Sequence, residues 1–328
     1  MAGNGTVWPT DGALRHWQMD KQAERERNIA ALSSVGAALF LTLIKLVVGM
    51  VSGSLGIQAE AAHSGLDLVA AMVTLIAVRA AAKPADPGHA YGHGKVENLS
   101  AMAETLLLLG TCVWIVYESI HRLLFSDVQI EASIWTFAVM TVSILVDVSR
   151  SRMLYRVARK HRSQALEADA LHFSTDIWSS AVVILGLVGV KIADWFPRVG
   201  FLDKTDAVAA LVVALIIVLV SGRLGFRTIQ ALVDASPVGV ADQIKARVEA
   251  MHGVVDCHAV RVRHSGPHYF VDLHITLDGE LSLHAAHALT EQVEQAVTEI
   301  LPDADVTVHP EPTPGSPAPL NSHGPPPL

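Results

Sequence analysis

The sequence predicts an α-helical membrane domain of six transmembrane helices, followed by a small cytoplasmic α+β domain. Three observations carry that expectation. Hydrophobic residues make up 51% of the 328 positions and charged residues only 17%, whereas soluble domains carry roughly 25% charge. Six apolar stretches, near 29–51, 55–82, 99–124, 134–148, 170–190 and 207–220, recur between polar segments, and about 20 mainly apolar residues cross a bilayer. Beyond residue 236 the pattern changes to short alternating and amphipathic segments.

Residues 1–28 are polar and open without an apolar core, so they read as a cytoplasmic segment and not a cleaved signal peptide. The membrane domain is expected over 29–235. Its fourth stretch is short and completes a span only if Glu131 and Arg150 sit at the two interfaces. Basic residues concentrate at Lys21, Arg25 and Arg27, at Arg79, Lys83 and Lys95, from Arg150 to Arg162, and at Arg223 and Arg227. The remaining loops are poorer in them. The positive-inside rule then places both termini in the cytoplasm, as an even number of spans requires.

The second domain is expected over 236–311. Helix at 241–252, strands at 258–264 and 269–277 around a Ser265-Gly266-Pro267 turn, helix at 282–301 and strand at 305–308 give an αββαβ order. Helices would cover one face of the sheet. Residues 312–328 are rich in proline, glycine and serine and read as a disordered tail. A net charge of -8 argues against a nucleic-acid partner. Cys112 and Cys257 lie in unlike segments and form no CxxC motif.

Chemistry concentrates in histidine and aspartate. His63-x-x-x-Asp67 lies in the second apolar stretch and His172-x-x-x-Asp176 in the fifth. Residues at i and i+4 share a helix face. Two such faces opposed would offer two imidazoles and two carboxylates, a set suited to tetrahedral Zn²⁺. Ionisable groups inside a span are costly and usually mark an ion path; helix-locking hydrogen bonds are the other reading of each motif taken alone. Asp86, His89 and His93 place one carboxylate and two imidazoles within one short loop. No HExxH occurs, so a membrane zinc protease lacks its general base. A receptor that binds metal without moving it stays open.

The segment from Pro84 to Glu97, PADPGHAYGHGKVE, together with the paired HxxxD motifs, resembles the cation diffusion facilitator family of zinc-exporting antiporters. The resemblance runs from about Asn28 to Glu311. It implies six helices, a metallochaperone-like cytoplasmic domain, a homodimer in a bacterial inner (cell) membrane, and exchange of cytoplasmic metal for protons. It makes His63, Asp67, His172 and Asp176 the transport site, and Asp86, His89 and His93 a second zinc site. His258, His274, His287, His309 and Glu311 match its cytoplasmic zinc-binding positions, where Glu311 replaces the more frequent aspartate and puts a bridging role in question. His284 is a substitute for His287. Zn²⁺ is then both the transported and the regulatory ion, with no enzymatic activity and no organic cofactor. Mn, Fe, Co, Ni or Cd is the alternative substrate for the same fold.

Overall fold

The computed structural model describes residues 21–53, 55–125, 134–195 and 205–314. Most of the expected N-terminal segment (1–20) and of the expected tail (315–328) lies outside the described residues. The chain divides into two compact units, with the boundary between Val233 and Asp234.

The first unit contains six long helices among its described residues: α1 (Lys21–Ser52), α2 (Leu55–Ala81), α3 (Lys95–Phe125), α4 (Ile134–His161), α5 (Gln164–Trp195) and α6 (Thr205–Leu232). Helices of 27 to 32 residues span about 40–48 Å at 1.5 Å per residue, more than the roughly 30 Å of a bilayer core. Four of them, α1, α2, α3 and α6, are long and apolar enough to cross a membrane. α4 carries Asp147, Arg150 and Arg152, and α5 carries Glu167, Asp169 and Asp176. Leu66, Leu107, Leu145 and Leu215 are among the large apolar side chains left exposed on the helices. Hydrocarbon solvates such side chains, so helices in a bilayer need no apolar surface hidden from water.

The basic stretch after the fourth span, expected as a loop, is helix. α4 runs on to His161 and α5 begins at Gln164. Arg162, at φ 52°, makes the reversal with Ser163. Arg150, expected at an interface, is 3% exposed. The reason is that its charge has partners. Nε donates to Ser34 Oγ at 2.7 Å, and the guanidinium lies 3.2 Å over the Phe173 ring. Ser34 Oγ in turn donates to Asp169 Oδ2 at 2.7 Å. A planar guanidinium can stack and donate at once, which suits it to this burial.

Charge pairs tie the helices together where α1 starts and α4 ends. Arg27 Nη1 meets Glu97 Oε1 at 2.7 Å, with side chains 2% and 0% exposed. Lys160 and His161 both reach Glu26, at 2.6 and 2.8 Å. Arg227 meets Glu167 at 2.6 Å. α3 and α6 pack so closely that a Cβ on Gly225 would stand 2.9 Å from Thr105 Cγ2.

The second unit runs α7 (Val240–Glu249), β1 (Asp256–Ser265), β2 (His268–Leu277), α8 (Leu283–Ile300) and β3 (Ala304–Pro312), in the expected αββαβ order. Ser282 caps α8 by accepting from the Ala285 N–H. The sheet order is β1-β2-β3, antiparallel then parallel. Its core joins Ile244 and Val248 of α7, Val293 and Val297 of α8, and Cys257, Leu273 and Ile275 of the sheet. β3 is longer than the strand expected at 305–308. Pairing with β2 continues to Leu277 opposite Pro312, so the strand takes in the first residue of the expected tail.

Candidate metal centres

α2 and α5 pack against each other and bring their two HxxxD faces together. His63 Nε2 lies 3.8 Å from both Asp67 Oδ1 and Asp176 Oδ1. His172 Nε2 lies 3.1 Å from Asp67 Oδ1 and 3.8 Å from Asp176 Oδ2. The donor atoms of His63, Asp67 and Asp176 all fall within 4.8 Å of one another, and His172 joins through the two carboxylates. A tetrahedral ion with bonds of about 2.0–2.1 Å sets its donors roughly 3.3 Å apart. Three of the four donors therefore have the mutual spacing such an ion needs, and His172 stands beside them, hydrogen-bonded to Asp67. Asp67 and His172 are each 8% exposed, the Phe173 ring stands edge-on to His172 with centroids 5.2 Å apart, and His63 is 44% exposed.

A cavity of about 70 Å³ opens beside these donors, enough for an ion with water, since one water occupies about 30 Å³ of liquid. Four charged residues of its lining were not singled out in the sequence as site residues: Lys45, Glu60, Asp147 and Arg150. Spacing could have found Glu60, which forms an i, i+3, i+7 stripe on α2 with His63 and Asp67; nothing local marks the other three. With Asp67 and Asp176, the lining holds four carboxylates against two fixed cations. With neutral imidazoles the formal balance is two negative charges, the complement of one divalent cation.

The loop between α2 and α3 gathers the second set. Asp86 Oδ1 lies 3.2 Å from His89 Nδ1 and Oδ2 lies 3.4 Å from His93 Nε2. The His89 and His93 ring centroids are 4.2 Å apart. Asp86 Oδ1 accepts from the backbone N–H groups of Gly88 and His89 at 2.9 and 2.8 Å, which fixes the carboxylate locally. Desolvation pushes the Asp86 carboxyl up, but these backbone donors outweigh it and hold the group below its ordinary value. His93 Nδ1 is buried without a hydrogen-bond partner.

The third set lies on the sheet. His258, His274 and His309 are cross-strand neighbours on β1, β2 and β3. A β-bulge produces this row. From Ser265 opposite His268 to Arg261 opposite Asp272 the hairpin pairs one to one. An unbroken register would then set His258 against Ile275. Two residues, Ala259 and Val260, oppose Leu273 instead, with Ala259 at φ 51°. The slip moves His258 to the face of His274, because side chains alternate along a strand.

Glu311, two residues after His309 and so on the same face, is the hub of this set. It lies 2.8 Å from His274 Nδ1, 3.3 Å from His258 Nε2 and 3.8 Å from His309 Nε2. The reach of the glutamate, in question from the sequence, is what lets one carboxylate meet all three rings. The His274 hydrogen bond holds the Glu311 carboxyl below its usual range, and the charges of all three histidines act the same way. His287 is elsewhere. It sits on α8, 68% exposed, 3.5 Å from Glu291, because the helix presents it away from the sheet face that carries the other histidines. His284 is exposed one turn before it.

Long apolar helices around a buried donor cluster, joined to a small α+β unit, define an integral membrane transporter. Residues 31–233 match the family model of the cation efflux transmembrane domain, and residues 239–313 that of the cation efflux protein cytoplasmic domain. The chain belongs to the cation diffusion facilitator family. It is 32% identical over 308 residues to the cation-efflux pump FieF of Yersinia enterocolitica, covering 93% of this chain and 99% of that relative. It is 33% identical over 299 residues to FieF of Serratia proteamaculans, covering 90% and 95%. The chain is also similar to the metal-bound C-terminal domain of the CzcD transporter from Thermotoga maritima. That match has 36% identity and a TM-score of 0.21, over 22% of this chain and 86% of that one.

Proposed function

We propose that the protein exports cytoplasmic Zn²⁺ in exchange for protons, by alternating access of the cluster formed by His63, Asp67, His172 and Asp176. The observation that carries this reading is the cluster itself: His63, Asp67 and Asp176 with donor atoms within 4.8 Å of one another, and His172 hydrogen-bonded to Asp67, beside a cavity whose formal charge one divalent cation balances. The relatives named as cation-efflux pumps support the direction of transport.

In this reading the six helices of residues 29–235 span the membrane with both termini in the cytoplasm, and residues 236–311 form a regulatory domain that dimerises. Zn²⁺ binds when both imidazoles are neutral and the carboxylates ionised, so protons compete for the same atoms. A ligating imidazole nitrogen holds either a proton or the ion, which makes His63 and His172 the groups that exchange one for the other. The loop set and the sheet set fit Zn²⁺ by donor type and spacing, and serve capture and regulation, off the ion path. A metal that binds the closed arrangement of two regulatory domains better than the open one shifts the population toward it.

The test is Zn²⁺ uptake into proteoliposomes. Uptake should rise with an acidic lumen and collapse when an ionophore dissipates the pH gradient. Uptake indifferent to the gradient contradicts proton exchange; faster uptake of Mn²⁺ or Cd²⁺ than of Zn²⁺ contradicts the zinc assignment.

A further inference from the structure

Lys45, like Arg150, brings a positive charge to a cavity that receives positive ions, and unlike Arg150 it is hydrogen-bonded to the helix that presents His63 and Asp67. It is 6% exposed. Its Nζ donates to Ser64 Oγ at 2.8 Å and to Glu60 Oε2 at 3.1 Å. Ser64 follows His63 and stands one turn before Asp67, so the ammonium is fastened to the turn of α2 that presents two ligands. Thr42 Oγ1 strengthens the grip by donating to the Ser64 carbonyl at 2.9 Å. Glu60 lies one turn before His63, toward the α1–α2 junction, and is about two-fifths exposed. An ammonium inside a membrane span is expensive and is retained where it has a partner and a task.

We infer that Lys45 is a resident cation that holds the metal affinity of this cavity down so that the ion can leave, and that Glu60 sets how far the ammonium's charge reaches toward the ligands. The inference rests on the reading of the cavity as the transport site. A site emptied in every cycle must attract its ion yet release it. Coulomb energy falls only inversely with distance and is weakly damped where water is excluded, so a fixed positive charge in the same cavity opposes a divalent ion whether or not the two touch. Without Lys45 the formal charge of the lining changes from two negative to three, and a bound divalent ion leaves one negative charge uncompensated. The ion would then be held more tightly and released more slowly. Glu60 draws the ammonium toward the junction; with that carboxylate neutralised, nothing on that side restrains it from the ligands.

Purified full-length protein is assayed for Zn²⁺ affinity by competition with a chelating dye, and for Zn²⁺ flux in proteoliposomes. Lys45→Gln should bind one Zn²⁺ about tenfold more tightly and turn over more slowly. Lys45→Arg, which keeps the charge, should restore the weaker affinity. Glu60→Gln should weaken binding, and it decides the matter if Lys45→Gln does not fold. Lys45→Gln combined with Asp67→Ala should lose the tight site, which assigns the gain to this cavity. Unchanged or weaker affinity in folded Lys45→Gln, or unchanged or tighter affinity in Glu60→Gln, overturns the inference. Wild-type flux in Asp67→Ala alone is a separate outcome, and it removes the transport-site reading itself.

Discussion

The intramembrane cluster and the sheet cluster use the same side-chain types in opposite settings. In the first, Asp67 and His172 are buried although His63 is 44% exposed, and α5 is tied to α1 by the buried hydrogen bond from Ser34 to Asp169. In the second, His258, His274 and Glu311 each leave 30–40% of the side chain exposed, and cross-strand pairing alone sets their spacing. The difference teaches what each site can tolerate. Among packed helices a lost ligand leaves charge without its partner, and an unpaired buried charge is costly. On an open sheet face, water completes a coordination shell at little expense. Changes in the membrane unit should therefore be severe, and changes on the sheet graded.

The largest expected effect is that of Asp176→Ala, which removes one of four donors and should reduce Zn²⁺ flux at least ~100-fold, since outer-shell partners alone are worth 10–100-fold at metal sites. Flux within a few-fold of wild type would erase the contrast between the two clusters. Next comes Glu97→Ala. It strips Arg27 of its buried partner and should cost roughly 3–5 kcal/mol of stability. A lower thermal midpoint, with Zn²⁺ affinity kept in the folded fraction, is the expected result.

A graded response is expected at Glu311. Its carboxyl lies below the ordinary range when folded and returns to that range on unfolding. The ionised group therefore stabilises the domain above the unfolded value, and that stability fades as pH falls through the lower folded value. Glu311→Gln should flatten the acid limb of the domain's stability curve between about pH 5 and 3. Circular dichroism curves that superimpose with wild type over that interval would contradict it. The smallest effect belongs to His287→Ala. Among the described residues its ring pairs with Glu291, so its loss should change Zn²⁺ affinity of the C-terminal unit by no more than about twofold, the scale of an ordinary surface substitution. A tenfold loss, measured by calorimetry, would bring His287 back among the ligands.

What the sequence made legible follows from periodicity. His63 with Asp67 and His172 with Asp176 share helix faces at i and i+4, and the structure brings those faces within 3.1–3.8 Å. The αββαβ order was readable because each element carries its own hydrophobic period. Arg150 was not. A charged residue at the edge of a short apolar run looks interfacial, and nothing local shows that Ser34 and Phe173 await it from other helices. Lys45 and Asp147 were hidden likewise, since each is one polar residue in an apolar stretch until the bundle turns them to a common cavity. On the sheet, the bulge at Ala259 defeats strand counting, and the row of three histidines exists only once that slip is known.

The most direct test places the two clusters side by side, by measuring Zn²⁺ flux of Asp67→Ala and Glu311→Ala in proteoliposomes at matched protein density. Asp67→Ala should be indistinguishable from protein-free vesicles, while Glu311→Ala should transport at a reduced but measurable rate. Flux that survives in Asp67→Ala and vanishes in well-folded Glu311→Ala would contradict the account, because it would put the ion path through the sheet cluster and not through the membrane.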